Sequence, residues 1–143
     1  MKYKFTPAKN PRVLIIQKVY GQLANNDQKI IFEKHRFKKF IKDVVIGTIE
    51  RLEIINEEIK KTEKNFNLNN IDDIFRIIIQ CATFEFMYKP NLSRKIIIKE
   101  YLNVSNFFLN NSQTKYLNAI LDFLSKNLKN EWTWYYWKIK KNY

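Results

Sequence analysis

At 143 residues, 45% apolar and 15% aromatic, the chain is long enough to bury a hydrophobic core without disulfides or metals, and too apolar for a disordered tail. Only 2 Gly and 3 Pro argue against a turn-rich β fold and for helices. With 26 Lys+Arg against 14 Asp+Glu, the formal net charge of +12 points to a partner carrying phosphate or an anionic membrane surface.

The chain opens with Lys2, Lys4, Lys9, Arg12 and Lys18 and carries no acid through residue 26. Because AT-rich codons also favour Lys, Asn and Ile, clustering of the cations says more about a ligand than their total. A generally basic solvated surface and a nucleic-acid face both fit the cluster. The apolar stretch at residues 13–16 is too short for a signal-peptide core, and no run approaches the roughly 18 apolar residues of a membrane span, so a cytoplasmic location is expected.

Residues 12–24 form the first predicted helix, with Pro11 suited to its first turn and Val13, Ile16, Tyr20 and Leu23 on one face. Asn25, Asn26 and Asp27 break it, and the apolar patch at residues 30–32 is a candidate for a further short turn. From about His35 to Lys64, the positions Phe37, Ile41, Val44, Thr48, Leu52, Ile55 and Ile59 advance by three or four, which predicts one long amphipathic helix. Gly47 inside it costs about 1 kcal/mol relative to Ala, which points to a close helix crossing.

After a polar loop at residues 65–70, Asp72 and Asp73 suit a helix N-terminus, and residues 71–88 are apolar nearly all round, as in a central buried helix. Lys89 and Pro90 end it. A second acid-free basic stretch follows, with Lys89, Arg94, Lys95 and Lys99. Ser93 is a predicted cap for a helix carrying Ile97, Tyr101, Val104 and Phe108. Ser112 is the predicted cap of the next, which carries Leu117, Ile120, Leu121, Leu124 and Leu128. No strand-like alternation is sustained, so the fold class is all-α in one domain over residues 1–128, followed by an aromatic and basic tail at 129–143.

Residues for catalysis are scarce. His35 is the only histidine and Cys81 the only cysteine, far apart in sequence, and together they make neither a zinc pattern nor a nucleophile–base set. The two glycines stand alone, so no phosphate-cradling loop is present. Neither a cofactor nor a metal is expected. Glu85 and Glu100 lie in otherwise apolar helices, where a bare charge is expensive; a carboxylate held by Lys, Arg or backbone donors is favoured over a paired acid/base site. The tail holds Trp132, Trp134, Tyr135, Tyr136 and Trp137 among cations, and suits stacking on bases, insertion at a membrane interface, or packing against the domain.

Several segments in register resemble the NusB family of transcription antitermination factors. Residues 71–86, then Lys89-Pro90 and the run Arg94 to Glu100, are similar to that family's central helix ending in an apolar-Tyr-Glu-Leu step, its proline turn and its Lys-Val-x-Ile-Asn-Glu motif. Lys115-Tyr116-Leu117-Asn118-Ala119-Ile120-Leu121-Asp122 resembles its Lys-Phe-Val-Asn-Gly-Val-Leu-Asp. The first helix, from Arg12 through Gln17 to Tyr20, resembles its Arg-x-x-Ala-x-Gln-x-Leu-Tyr. The likeness runs from about residue 11 to 128 and is strongest over 71–124. Gln80 stands where the family usually has Arg, Lys99 where it has Asn, Asn103 where it often has Glu, and Ala119 where it has Gly.

The resemblance implies a compact bundle of about seven helices in two packed sub-bundles, with no enzymatic activity. It implies binding to boxA-like single-stranded RNA together with the ribosomal protein NusE, in a complex with NusA, NusG and RNA polymerase, and no membrane. By the same likeness, together with the basic N-terminal segment that supplies Lys9 and Lys18, the expected RNA contacts are Lys9, Arg12, Gln17, Lys18, Tyr20, Lys115, Tyr116 and Asn118, with Phe75, Arg76 and Tyr88 facing the protein partner. Two helix starts, at Arg12 and Lys115, are then expected to frame one groove for an extended strand. An accessory domain for ribosomal RNA modification is the alternative, with no methyltransferase expected after Tyr143, and a peripheral membrane protein is a third class.

Overall fold

The computed structural model describes residues 7–128, among which there are six α-helices, two short 3-10 turns and no strand. The first helix, α1 (Pro11–Ala24), starts where Asn10 caps it, the Asn10 side chain accepting from the backbone N–H groups of Arg12 at 2.9 Å and Val13 at 3.3 Å. Pro11 takes the first helical position as expected. Val13, Ile15, Ile16 and Val19 face inward, but Tyr20 and Leu23 stay 44% and 41% exposed, because the last turn of α1 overhangs an open groove beside a neighbouring helix. Residues 30–32 do not coil; they belong to a segment without regular structure that leads to the next helix.

The single long helix expected over residues 35–64 is divided. Helix α2 (Lys38–Glu50) and helix α3 (Leu52–Lys60) meet at Arg51, whose φ of −110° and ψ of 21° lie in the bridge region between helix and strand, and a 3-10 turn at Lys61–Lys64 follows. A three-or-four spacing continues through such a break, because the bend lets each half lay its own stripe on the central helix. Gly47 marks a close crossing: a Cβ there would stand 2.3 Å from the Phe84 ring.

That central helix is α4 (Asp73–Tyr88), capped by Asp72, whose side chain accepts from the Phe75 N–H at 2.8 Å. Every residue from Ile77 to Met87 is buried, and α4 packs against all five other α-helices. Helix α5 (Arg94–Ser105) begins at the predicted cap, Ser93, and turns Ile97, Tyr101 and Val104 inward. Helix α6 (Asn111–Asn127) begins at Asn110 and not at Ser112. The Asn110 side chain accepts from the Gln113 N–H at 2.8 Å while the Gln113 side chain accepts from the Asn110 N–H at 2.9 Å, a reciprocal capping box that Ser112 cannot offer.

Helices α1 and α2 pack on each other and on α4, as do α5 and α6, so two sub-bundles share the central helix. Among the described residues the α-helices number six against the expected seven or so; residues 30–32 stay uncoiled and 61–64 make only a 3-10 turn. No helix among the described residues is long and apolar enough to cross a membrane. The aromatic tail lies outside the described residues.

Candidate nucleic-acid interface

The first turns of α1, the segment at residues 32–38 and the start of α2 enclose an open groove of about 480 Å³. Exposed Lys9, Lys34 and Lys38 line it together with exposed Gln17, and Phe32 lends it an apolar wall. His35 builds the groove rather than reacting in it: its Nδ1 accepts from the Phe37 N–H at 2.8 Å, so its Nε2 carries the proton and donates to the Lys9 carbonyl, also at 2.8 Å. One imidazole thus ties the segment before α1 to the start of α2. Cations on both walls, an amide that can donate and accept, and an apolar face are what an unpaired nucleic-acid strand requires.

Lys34 and Lys38 were not among the residues expected to bind RNA. Their signal was present in the sequence, since residues 34–42 hold Lys34, Arg36, Lys38, Lys39 and Lys42 without an acid. The fold is what brings that run beside Lys9.

Arg12 faces inward, which corrects its expected place on the surface. Its Nε and Nη2 donate to the two oxygens of fully buried Glu85 at 3.1 and 2.7 Å, and its own side chain is 11% exposed. The guanidinium also lies 5.0 Å from the Phe40 ring centroid and 5.5 Å from that of Tyr101. Tyr101 donates its hydroxyl proton to Glu85. Burial, the largest single influence, lowers the pKa of Arg12, but Glu85, Tyr101 and Glu100 together outweigh it and the net shift is upward, while burial and Glu85 together hold the Tyr101 phenol well above its usual range. Glu85 is therefore the held carboxylate of the two readings, fixed by an ion pair and a phenol.

Lys18 is an anchor for the loop. Its ammonium donates to the Ile31 carbonyl at 2.6 Å and pairs with Glu33 at 2.8 Å, leaving its side chain 16% exposed. The hydrogen bond from Lys18 lowers the Glu33 pKa. Tyr20 lies outside the groove, beside Leu23 and Arg76.

Lys115 and Asn118 are exposed, but Tyr116 is half-buried, its hydroxyl donating to the Asn67 carbonyl at 2.9 Å and its ring 5.9 Å from Phe66. Lys115 is the fifth residue of α6, past the first turn. With Asn67 and Ser112 it lines a separate groove of about 530 Å³ that shares no residue with the first. The two helix starts therefore do not frame one groove, because α6 packs on α4 and α5 while the start of α1 lies against α2.

Among the expected partner residues, Phe75 is 1% exposed and belongs to the core, so its ring has no face to offer. Arg76 is half-buried and donates from Nη2 to the Leu68 carbonyl at 3.0 Å. Tyr88 is half-buried with the Arg51 guanidinium 5.0 Å from its ring. In the basic stretch after α4, Lys89 lies 3.4 Å from Asp43 and Arg94 binds the carbonyls at the end of α6, that of Leu128 at 3.0 Å and that of Ser125, leaving Lys95 and Lys99 exposed. Cys81 is fully buried, which pushes its thiol pKa up, and no group of three or more His, Cys, Asp or Glu among the described residues could hold a metal.

Comparison with known proteins agrees with this architecture. Residues 6–126 match the model of the NusB family. The transcription antitermination protein NusB of Wolinella succinogenes is 36% identical over 96 residues, spanning 67% of this chain and 70% of that protein. The NusB of Borreliella burgdorferi is 26% identical over 132 residues, spanning 82% of this chain and 93% of that protein. A solved structure of T. maritima NusB superposes with a TM-score of 0.72 at 20% identity, covering 85% of this chain and 92% of that one, which shows the shared fold. With a family model matching residues 6–126 and a relative 36% identical, the chain belongs to the NusB family.

Proposed function

We propose that this protein is a non-catalytic transcription antitermination factor that binds boxA-like single-stranded RNA jointly with NusE, within a complex of NusA, NusG and RNA polymerase that keeps transcription of ribosomal RNA operons processive. Family membership supports the class, and the single observation that carries the RNA reading is the groove where Lys9, Lys34 and Lys38 converge around Gln17. In this reading the three ammonium groups take phosphates, and Gln17 and Phe32 meet unstacked bases. Lys115 from its own groove, and exposed Asn118 on the same helix, contribute to a longer strand and not to the same stretch of it. NusE supplies a further surface, so the pair holds the RNA more tightly than this chain alone.

The test is fluorescence anisotropy with a labelled boxA-like single strand, the same sequence as a duplex, and purified NusE. The expected result is tighter binding to the single strand than to the duplex, and a further gain on adding NusE. Equal affinity for both RNAs with no gain from NusE would overturn the reading.

A further inference from the structure

Glu33 is the one acid among the described residues that line the lysine groove, which it shares with Lys9, Lys34 and Lys38. Its side chain is 68% exposed, and Lys18 holds it, the ammonium lying 2.8 Å from Glu33 Oε2 and 5.5 Å from the centroid of the neighbouring Phe32 ring. The hydrogen bond from Lys18 lowers the Glu33 pKa, which keeps the carboxylate charged. A fixed negative charge repels the phosphates that the three lysines attract. Nor does the loop depend on it for an anchor, since Lys18 also donates to the Ile31 carbonyl at 2.6 Å.

What a carboxylate adds to such a groove is an acceptor. It accepts in about four directions, and Lys18 takes one of them at Oε2. The donors of an unpaired strand are its ribose hydroxyls and the Watson–Crick edges of its bases. Gln17 and Phe32 line the same groove, and an amide with an aromatic ring suits a base better than a sugar. Cytosine and adenine each carry an amino group beside a ring nitrogen that accepts, whereas uracil presents a carbonyl oxygen in place of the amino group. We propose that Glu33 is a specificity-determining residue of the RNA groove, accepting from the amino group of an unstacked cytosine or adenine. Gln17 donates to the adjoining ring nitrogen, Phe32 lies against the face of the base, and Lys18 is the positioning residue that fixes the carboxylate. A uracil in the same place sets its carbonyl oxygen against the Glu33 charge and is rejected. The proposal deepens the RNA reading and rests on it.

The test is displacement of a labelled boxA-like strand from the full chain by unlabelled oligocytidine or oligouridine of equal length, with melting curves on the same samples. The two competitors share sugar and phosphate and differ only at the base. For the parent, oligocytidine should displace the probe at a concentration lower than oligouridine by about fivefold or more. Glu33→Ala should bring the two within about twofold, largely because oligouridine competes better once the charge is gone. Glu33→Gln keeps an oxygen for Lys18 and offers its amide N–H groups to the groove, so it should reverse the order in favour of oligouridine at an unchanged Tm. Such a reversal is something that a loop anchor would not produce. If the parent binds the probe but the two competitors are equal, the proposal is overturned while the RNA reading stands. If the parent does not bind the probe, both fall together. Should Glu33→Ala bind both competitors more tightly by the same factor, Glu33 only repels phosphate; should it lose both equally, Glu33 holds a ribose hydroxyl or the loop. Either result overturns the proposal.

Discussion

Arg12 and Glu85 lie 73 residues apart in sequence and meet inside the molecule through two charge-assisted hydrogen bonds. A carboxylate with no exposure depends on those donors and on the Tyr101 hydroxyl, so removing one partner leaves an uncompensated buried charge. Arg12→Ala is therefore predicted to lose about 3–5 kcal/mol of folding stability, read as a fall in Tm and in the denaturant midpoint. A double variant that replaces both members by apolar residues, Arg12→Met with Glu85→Leu, should be more stable than either single variant. Additive losses in that cycle would show that the pair is not coupled. The sequence marked both residues but not their partnership: Arg12 looked like part of a basic patch, and only the packing of α1 across α4 and α5 turns it inward.

Periodicity located the helices, and local chemistry placed their ends with mixed success. Ser93 was readable as a cap, and Asp72 with Asp73 as a helix N-terminus, without the sequence saying which of the two acids caps it. Before α6, Asn110, Asn111 and Ser112 all qualify, and the reciprocal bond with Gln113 decides for Asn110. Asn110→Ala should cost about 1 kcal/mol, while Ser112→Ala should stay within about 0.5 kcal/mol of the parent in chemical denaturation. A reversal of that order would return the cap to Ser112. The break at Arg51 was hidden for a different reason: the apolar spacing runs through it, and neither glycine nor proline stands there. Both halves pack on α4.

Across the whole molecule, fold class and the central buried helix follow from apolar patterning that survives in a single sequence, whereas the two sub-bundles were implied only by the family resemblance. The proposed RNA face was only partly legible. Lys9 and Gln17 do line the lysine groove, but Lys34 and Lys38 come to it from another segment, and His35, which reads in sequence as a surface histidine, is the strut that joins the two. Tyr116 matches a motif position yet is used to hold the loop at Asn67. Motif positions tell which residues a family keeps, whereas a groove depends on which segments the chain folds together.

The most direct test of the central claim is the salt dependence of RNA binding by the parent and by the triple variant Lys9→Ala, Lys34→Ala, Lys38→Ala. Each phosphate contact on single-stranded RNA contributes about −0.7 to the slope of log affinity against log salt concentration. If the three lysines hold phosphates, the slope should become shallower by about 2 units in the triple variant, with weaker binding at low salt and an unchanged Tm, since all three side chains are exposed. A triple variant with the slope and affinity of the parent would contradict the account and remove the lysine groove from the RNA path.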